Sequence, residues 1–191
     1  FFDIADYITV NISSPNTEGL RDFHDQEKLE DLLLALNKIK SENKINIPLL
    51  LKISPDIKDN QISEIADTAI INDISGIILT NTTNSNKDKL ISDFKKEEGG
   101  LSGEPLQQIS TNMIKKFYKQ LNGKIPIIGV GGVNSGKSAY EKIIAGASLL
   151  QLYTGLVYKG PSIVKNIKKE LIQILKVEGL NNIKDAIGKN L

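Results

Sequence analysis

Between Asn11 and Thr17 the chain reads NISSPNT, crowding two Asn, two Ser and one Thr around a single Pro. Amides and hydroxyls at this density can grip a planar polar ligand along its edges, and a hydroxyl can serve as a base when a proton acceptor stands behind it. The same residue types also make turns for local backbone reasons, so the stretch alone leaves both readings open. A second cluster, LTNTT, places Thr80, Asn81 and Thr82 side by side, again able to meet a polar ligand edge-on or simply to turn. Lys52 sits inside the apolar run PLLLKIS, where a cation either reaches for solvent or points at a bound anion or electron-rich ring. Two glycine-bearing loops, VGGVNSG and YTGLVYKGP, follow later apolar runs. Gly131 and Gly132 let the backbone approach a ligand without a Cβ in the way, and such loops at barrel strand ends suit a phosphate or a tight turn.

Other chemistries lack their parts. The chain has no Cys, hence no thiolate nucleophile, disulfide or Cys-based metal site. Its single His, His24, lies in the charged stretch DFHDQEK and reads as solvated, so no metal site is expected. With 24 basic and 23 acidic residues the net charge is +1, and no basic face interleaved with aromatics emerges to hold nucleic acid. No apolar run approaches the roughly 20 residues that span a bilayer. Amides, hydroxyls and one Lys, without an ordinary acid–base pair, fit redox chemistry in which a bound cofactor carries the hard step.

These groups must be positioned by something, and the positioning elements are legible. Five β-branched-rich apolar runs stand out: YITVNI (7–12), PLLLKI (48–53), GIILTN (76–81), PIIGVG (126–131) and SLLQLY (148–153). Their apolar residues run on rather than alternate, as a parallel sheet covered on both faces requires. Segments of helical period separate them. In EKLEDLLLALNKIK, Leu29, Leu32, Leu33, Leu36 and Ile39 share one face, and SEIADTAII and NMIKKFYKQL repeat the pattern. Strict β–α alternation over 191 residues predicts an α/β fold, either an open doubly wound sheet or a barrel. Polar or Gly residues at every strand's carboxyl end favour the (β/α)8 TIM barrel. Five strands cannot close it, so three further strand units are expected before Phe1. No linker divides the chain, and 1–191 reads as a single, incomplete barrel domain. The polar connection from Thr83 to Gly100 is long enough to be functional or mobile, and Gly103 and Pro105 after it suggest a tight helix entry.

In order and spacing, ADYITVNISSPNTEGLRD, LLLKISPD, LTNTT, GGLSGEPL, IIGVGGVNSG and AGASLLQLYTGLVYKGP resemble the FMN-dependent dihydroorotate dehydrogenases. The likeness runs over essentially the whole chain and matches the family from its fourth barrel strand to its C-terminus. Class 1 members use Cys as catalytic base in the first of these loops, whereas class 2 members, which pass electrons to quinone, use Ser. With Ser14 there and no Cys, the chain resembles class 2.

That resemblance implies a division of labour. Ser14, rather than Ser13, removes a proton from carbon 5 of dihydroorotate while carbon 6 delivers hydride to nitrogen 5 of FMN, giving orotate in pyrimidine biosynthesis. Asn11 touches flavin and substrate, and Asn16, Asn81 and Thr82 hold the pyrimidine and its carboxylate. Lys52 and Thr80 contact the flavin ring. Gly103, Gly132, Tyr153 and Thr154 hold the ribityl phosphate, with Ser102 and Gly131 as neighbours. Thr17, three residues beyond Ser14, is a candidate first step of a proton relay. The resemblance further implies dihydroorotate, orotate and quinone as partners. An N-terminal helical segment before Phe1 would rest on the membrane, at the cytoplasmic face of a bacterial inner membrane or the mitochondrial inner membrane. By itself the stretch is expected to be an inactive fragment. Three alternatives stay open: another FMN barrel oxidoreductase, a phosphate-binding barrel aldolase or isomerase, and a non-catalytic barrel remnant kept for association.

Overall fold

Unbroken apolar runs rich in β-branched residues favour a pleated backbone buried on both faces, and each of the five runs forms a strand. These are β1 (Ile8–Asn11), β2 (Leu49–Ile53), β3 (Gly76–Leu79), β4 (Ile127–Gly129) and β5 (Ala147–Leu150). The computed structural model describes residues 4–85 and 87–191. All neighbouring strands pair in parallel, and their order in the sheet is the order in the chain, β1-β2-β3-β4-β5. A doubly wound sheet reverses direction at a switch point; an order without reversal is an arc of a (β/α) barrel.

Helices cover the outer face: α1 (Gln26–Glu42), α2 (Asp59–Ile71), α3 (Gln107–Leu121), α4 (Gly136–Ile144), α5 (Thr154–Lys159) and α6 (Ile163–Val177). Asp25 caps α1 by accepting the Lys28 N–H at 3.3 Å, and Ser135 caps α4 in the same way through Ser138. In α1, Leu29 and Leu33 are buried and Leu32 and Leu36 pack against them, as the spacing predicts. Ile39 departs from the expectation, at 46% exposed. The helices after β4 lie outside the three amphipathic segments picked out from sequence. Those at 136–144 and 154–159 are too short to display a period. The third, α6, buries Ile163 and Ile167 against Val133 and Ala139.

Side chains alternate across the sheet, and the two faces have different companions. Leu49, Leu51, Ile53, Ile77, Leu79 and Ile127 pack outward into the main core with Phe117 and Ile65 from the helices. Leu50, Ile78 and Ile128 form a separate small cluster on the opposite face. Two residues further along the chain lie Lys52, Thr80 and Val130, so this inner face turns polar toward the carboxyl-end rim at β2 and β3, while Val130 extends the apolar cluster. Lys52 is level with Ile78, and Ile78 with Ile128, across three adjacent strands.

Leu51 is fully buried at the centre of the outward core. Leu51→Ala is expected to lower unfolding free energy by about 2–5 kcal/mol, measured by urea denaturation; a loss below about 1 kcal/mol would show that this face is not the main core.

Candidate active site

At the rim, Lys52 of β2 and the loops after β3, β4 and β5 line a cleft of 740 Å³. Lys52, Thr80, Asn81 and Thr82 line one part of it, and Ser102, Gly103, Gly131, Gly132, Tyr153 and Thr154 line the rest. From β2 to β5 is three interstrand spacings, on the order of 14 Å. Lys52 and Thr80, expected to serve a flavin ring, and the residues expected to serve its phosphate therefore belong to one continuous cleft, which Asn11 does not line.

The glycines do what a close backbone approach requires. Gly132 has φ +75°, and a Cβ there would fall 2.7 Å from the Gln107 Cα at the start of α3. Gly103, at φ +78°, would bring a Cβ to 3.0 Å from the Thr154 methyl. The segment after β5 is also tied directly to the connection after β3, because the Thr154 hydroxyl donates to Ser102 Oγ at 2.9 Å. Side chains are thus excluded where these loops pack on α3 and on Thr154, and the backbone of Gly103 and Gly132 is left to line the cleft, where it can meet a ligand such as a phosphate. Tyr153 differs from its neighbours in standing largely exposed. The Lys52 ammonium is half-buried and titrates below its ordinary value because burial penalises the charged form. No opposing carboxylate effect offsets that burial, so an electron-rich or anionic ligand would restore what desolvation removes.

Asn11, Ser14 and Thr17 stand beside the cleft on the β1 side, and a buried hydroxyl joins them to it. Ser13 is fully buried; its Oγ donates to Asn11 Oδ1 at 2.7 Å and accepts from Asn81 Nδ2 at 3.0 Å. Asn81 Nδ2 also approaches Asn11 Oδ1 at 3.4 Å, and Asn81 Oδ1 accepts the Thr82 N–H at 2.7 Å. Ser14 remains half-exposed, with Thr17 Oγ1 3.3 Å from its Oγ. Asn16 faces a second hollow, of 610 Å³, shared with Pro15 and with Lys96 to Gly99 of the long connection. That connection folds back over the site: Thr83 and Leu101 exchange backbone hydrogen bonds of 3.1 and 2.7 Å. Gly100 sits so close to Thr82 and Pro15 that a Cβ would lie 1.9 Å from Thr82 Oγ1. Gly103 and Pro105 do lead into a helix, through a tight turn at Glu104–Leu106 before α3.

The structure corrects one expectation and adds three residues. His24 is not solvated: it is 3% exposed, with Nδ1 2.8 Å from Arg21 O and Nε2 accepting the Ser54 N–H at 3.2 Å. An Nε2 that accepts carries no proton, so the ring is neutral and Nδ1–H donates to Arg21. Burial pushes its pKa further down. A flanking charged sequence conceals this because the partner, Ser54, comes from the next strand. The residues not singled out from sequence are Arg21, Asp56 and Lys142. Of these, Arg21 carries a legible signal as the only arginine among 24 basic residues.

Among known proteins, the family model for dihydroorotate dehydrogenase matches residues 1–175. A relative from Bartonella tribocorum named dihydroorotate dehydrogenase (quinone) is 46% identical over 195 residues, covering 100% of this chain and 54% of the relative. A mitochondrial dihydroorotate dehydrogenase (quinone) from Arabidopsis thaliana is 44% identical over 96% of this chain and 41% of the relative. The crystal structure of a DHODH from Eimeria tenella in complex with ferulenol superposes with a TM-score of 0.93 at 37% identity, covering 97% of this chain and 54% of that one. The chain thus spans about half the length of the relatives it matches.

Beneath the glycine loop lies Lys142, fully buried, its Nζ donating to Ser110 Oγ at 2.9 Å, Thr111 Oγ1 at 3.2 Å and Gln107 O at 3.4 Å. Burial pushes its pKa down from 10.5 to about 7, only partly opposed by Glu141. The unfolded chain therefore holds this proton over a range in which the folded protein has lost it, and stability rises as pH increases from about 7 toward 10.5. Lys142→Met is expected to flatten that rise, so the stability difference between variant and parent changes with pH; a difference that stays constant in thermal melts from pH 7 to 10 would contradict it.

Proposed function

The chain belongs to the dihydroorotate dehydrogenase family, and on that premise we propose that it forms the FMN-binding and proton-abstracting part of a quinone-dependent dihydroorotate dehydrogenase. Its reaction is the oxidation of (S)-dihydroorotate to orotate in pyrimidine biosynthesis, with residues 1–191 forming an incomplete part of a single FMN-binding barrel domain. The observation that carries the reading is the Asn11–Ser13–Asn81 junction, which brings the loop bearing Ser14 against a strand end that lines the cleft.

The residues present fit the cofactor. Gly103, Gly132, Tyr153 and Thr154 would hold the ribityl phosphate, with Ser102 and Gly131 as neighbours, because all six line the cleft and the glycines there leave backbone uncovered by a side chain. Thr80 and Asn11 would contact the ring, and Lys52 would supply positive charge in a cleft that otherwise penalises it. When bound, FMN supplies the two-electron acceptor that no side chain of this protein can provide.

The protein's own task is then to grip the substrate and move one proton. Asn11, Asn16, Asn81 and Thr82 would hold the pyrimidine and its carboxylate by their edges. Ser13 is unsuited to act as the base, since its hydroxyl is buried and bound to both Asn11 and Asn81. Ser14 is available: its hydroxyl has only local partners, the Asn16 N–H and Thr17. A serine hydroxyl accepts the proton of carbon 5 only if its own proton leaves. Thr17 Oγ1, 3.3 Å away and on an exposed residue, receives that proton and passes its own to solvent. Hydroxyl hydrogens rotate, so the same contact runs in either direction.

A quinone as final acceptor would put the protein at a membrane surface, at the bacterial inner membrane or the mitochondrial inner membrane. Among the described residues no helix is long and apolar enough to cross one.

Ser14→Ala is expected to retain FMN and to lose about 10²–10⁴-fold in the rate at which dihydroorotate bleaches the flavin bands, read by anaerobic stopped flow on the full-length protein. Bleaching at the parental rate would remove Ser14 from the chemistry.

A further inference from the structure

Of the 24 basic residues, the single arginine stands where three loops meet. Each nitrogen of the Arg21 guanidinium is directed to a different loop. Nε donates to Ser13 O at 3.4 Å, Nη1 to Asp56 Oδ2 at 3.1 Å, and Nη2 to Thr82 O at 3.3 Å. Ser13 O is the carbonyl immediately before the proposed base, and Thr82 O belongs to the proposed substrate clamp. A lysine ammonium could not span these points, because it is a single charged centre on a flexible stem, whereas the guanidinium is a rigid planar fork.

Asp56 fastens the other side of the same junction. Its carboxylate accepts from Arg21, from the Asn84 N–H at 3.1 Å, from Ser85 Oγ at 3.1 Å, and through a short contact from Thr83 Oγ1. Those three donors lie at the start of the long connection that folds over the site. The pair is shielded, with 28% and 14% of the two side chains exposed, and so differs from an ordinary surface ion pair. His24 supports the assembly from below, taking the Arg21 carbonyl on one ring nitrogen and the Ser54 N–H on the other, two residues before Asp56.

We propose that Arg21 and Asp56 act as one positioning pair that sets the separation between the loop carrying Ser14 and the strand end carrying Asn81 and Thr82. This rests on the functional reading above and deepens it. Neither residue touches the reacting atoms; their effect is on the geometry in which the proton leaves carbon 5, where a displacement of about 1 Å can cost about 100-fold in rate.

The test compares Arg21→Lys, Asp56→Asn and the double variant of the full-length protein, measuring FMN content, thermal midpoint, and the rate of flavin bleaching at saturating dihydroorotate. Arg21→Lys keeps the charge and loses the fork, and Asp56→Asn keeps the shape and loses an acceptor. Each is expected to hold its FMN and thermal midpoint, to bleach ~10–100-fold more slowly at saturation, and to combine without multiplying, the double variant being no slower than the slower single. Parental bleaching in Arg21→Lys overturns the proposal, as do losses that multiply. Variants that shed FMN or unfold also overturn it, because the pair would then serve the fold and not the geometry of the reaction. A parental protein that dihydroorotate does not bleach overturns the functional reading together with this one, whereas parental bleaching matched by the variants overturns the pairing alone.

Discussion

Parallel pairing in unbroken chain order sends the carboxyl ends of all five strands to one rim, and every group in the site depends on that constraint. Asn11 ends β1, Lys52 is the penultimate residue of β2, and Thr80 follows β3. Gly131 and Gly132 come just after β4, and Tyr153 and Thr154 just after β5. None of these residues is a neighbour in sequence of more than one or two others. What unites them is the period-two alternation of the strands, which turns Leu50, Ile78 and Ile128 inward as an apolar floor. Lys52, Thr80 and Val130 then follow as the first layer above it.

Above that floor the site is held together by polar groups whose partners come from other loops, and their burial makes the pairing matter. Ser13 joins β1 to β3, Arg21 joins the β1 loop to those after β2 and β3, and Lys142 joins α4 to α3 beneath the glycine loop. A buried polar group left without a partner costs about 1–3 kcal/mol, so these junctions are a source of rigidity as well as of stability. Backbone closeness does the complementary work. At Gly132 and Gly100 a Cβ would collide with Gln107 and Thr82 respectively, which allows loops to seat against one another with no side chain between.

Much of this was legible from residue order alone, because strands and glycine loops are local signals. Runs such as PLLLKI and GIILTN announce covered parallel strands, and polar residues directly after them announce the rim. The family resemblance carried the roles of Ser14, Lys52 and the phosphate loops, and the family membership of the chain agrees with it. Contacts between distant residues were not legible. Arg21 and Asp56 are 35 positions apart, Lys142 and Ser110 are 32 apart, and His24 finds Ser54 across 30. In a charged stretch such as DFHDQEK nothing local distinguishes a solvated histidine from one that a neighbouring strand end has buried. The choice between Ser13 and Ser14 is intermediate. Composition leaves it open, and the hydrogen bonds that occupy Ser13 favour Ser14 on physical grounds independent of resemblance.

On this reading the loops form one cleft in which a flavin and dihydroorotate meet. The most direct measurement is the visible absorption spectrum of the full-length protein, recorded anaerobically before and after addition of dihydroorotate. Flavin bands are expected in the purified protein, bleaching on addition of the substrate and returning when a quinone is supplied. A colourless protein, or flavin bands that dihydroorotate leaves unchanged, would contradict it.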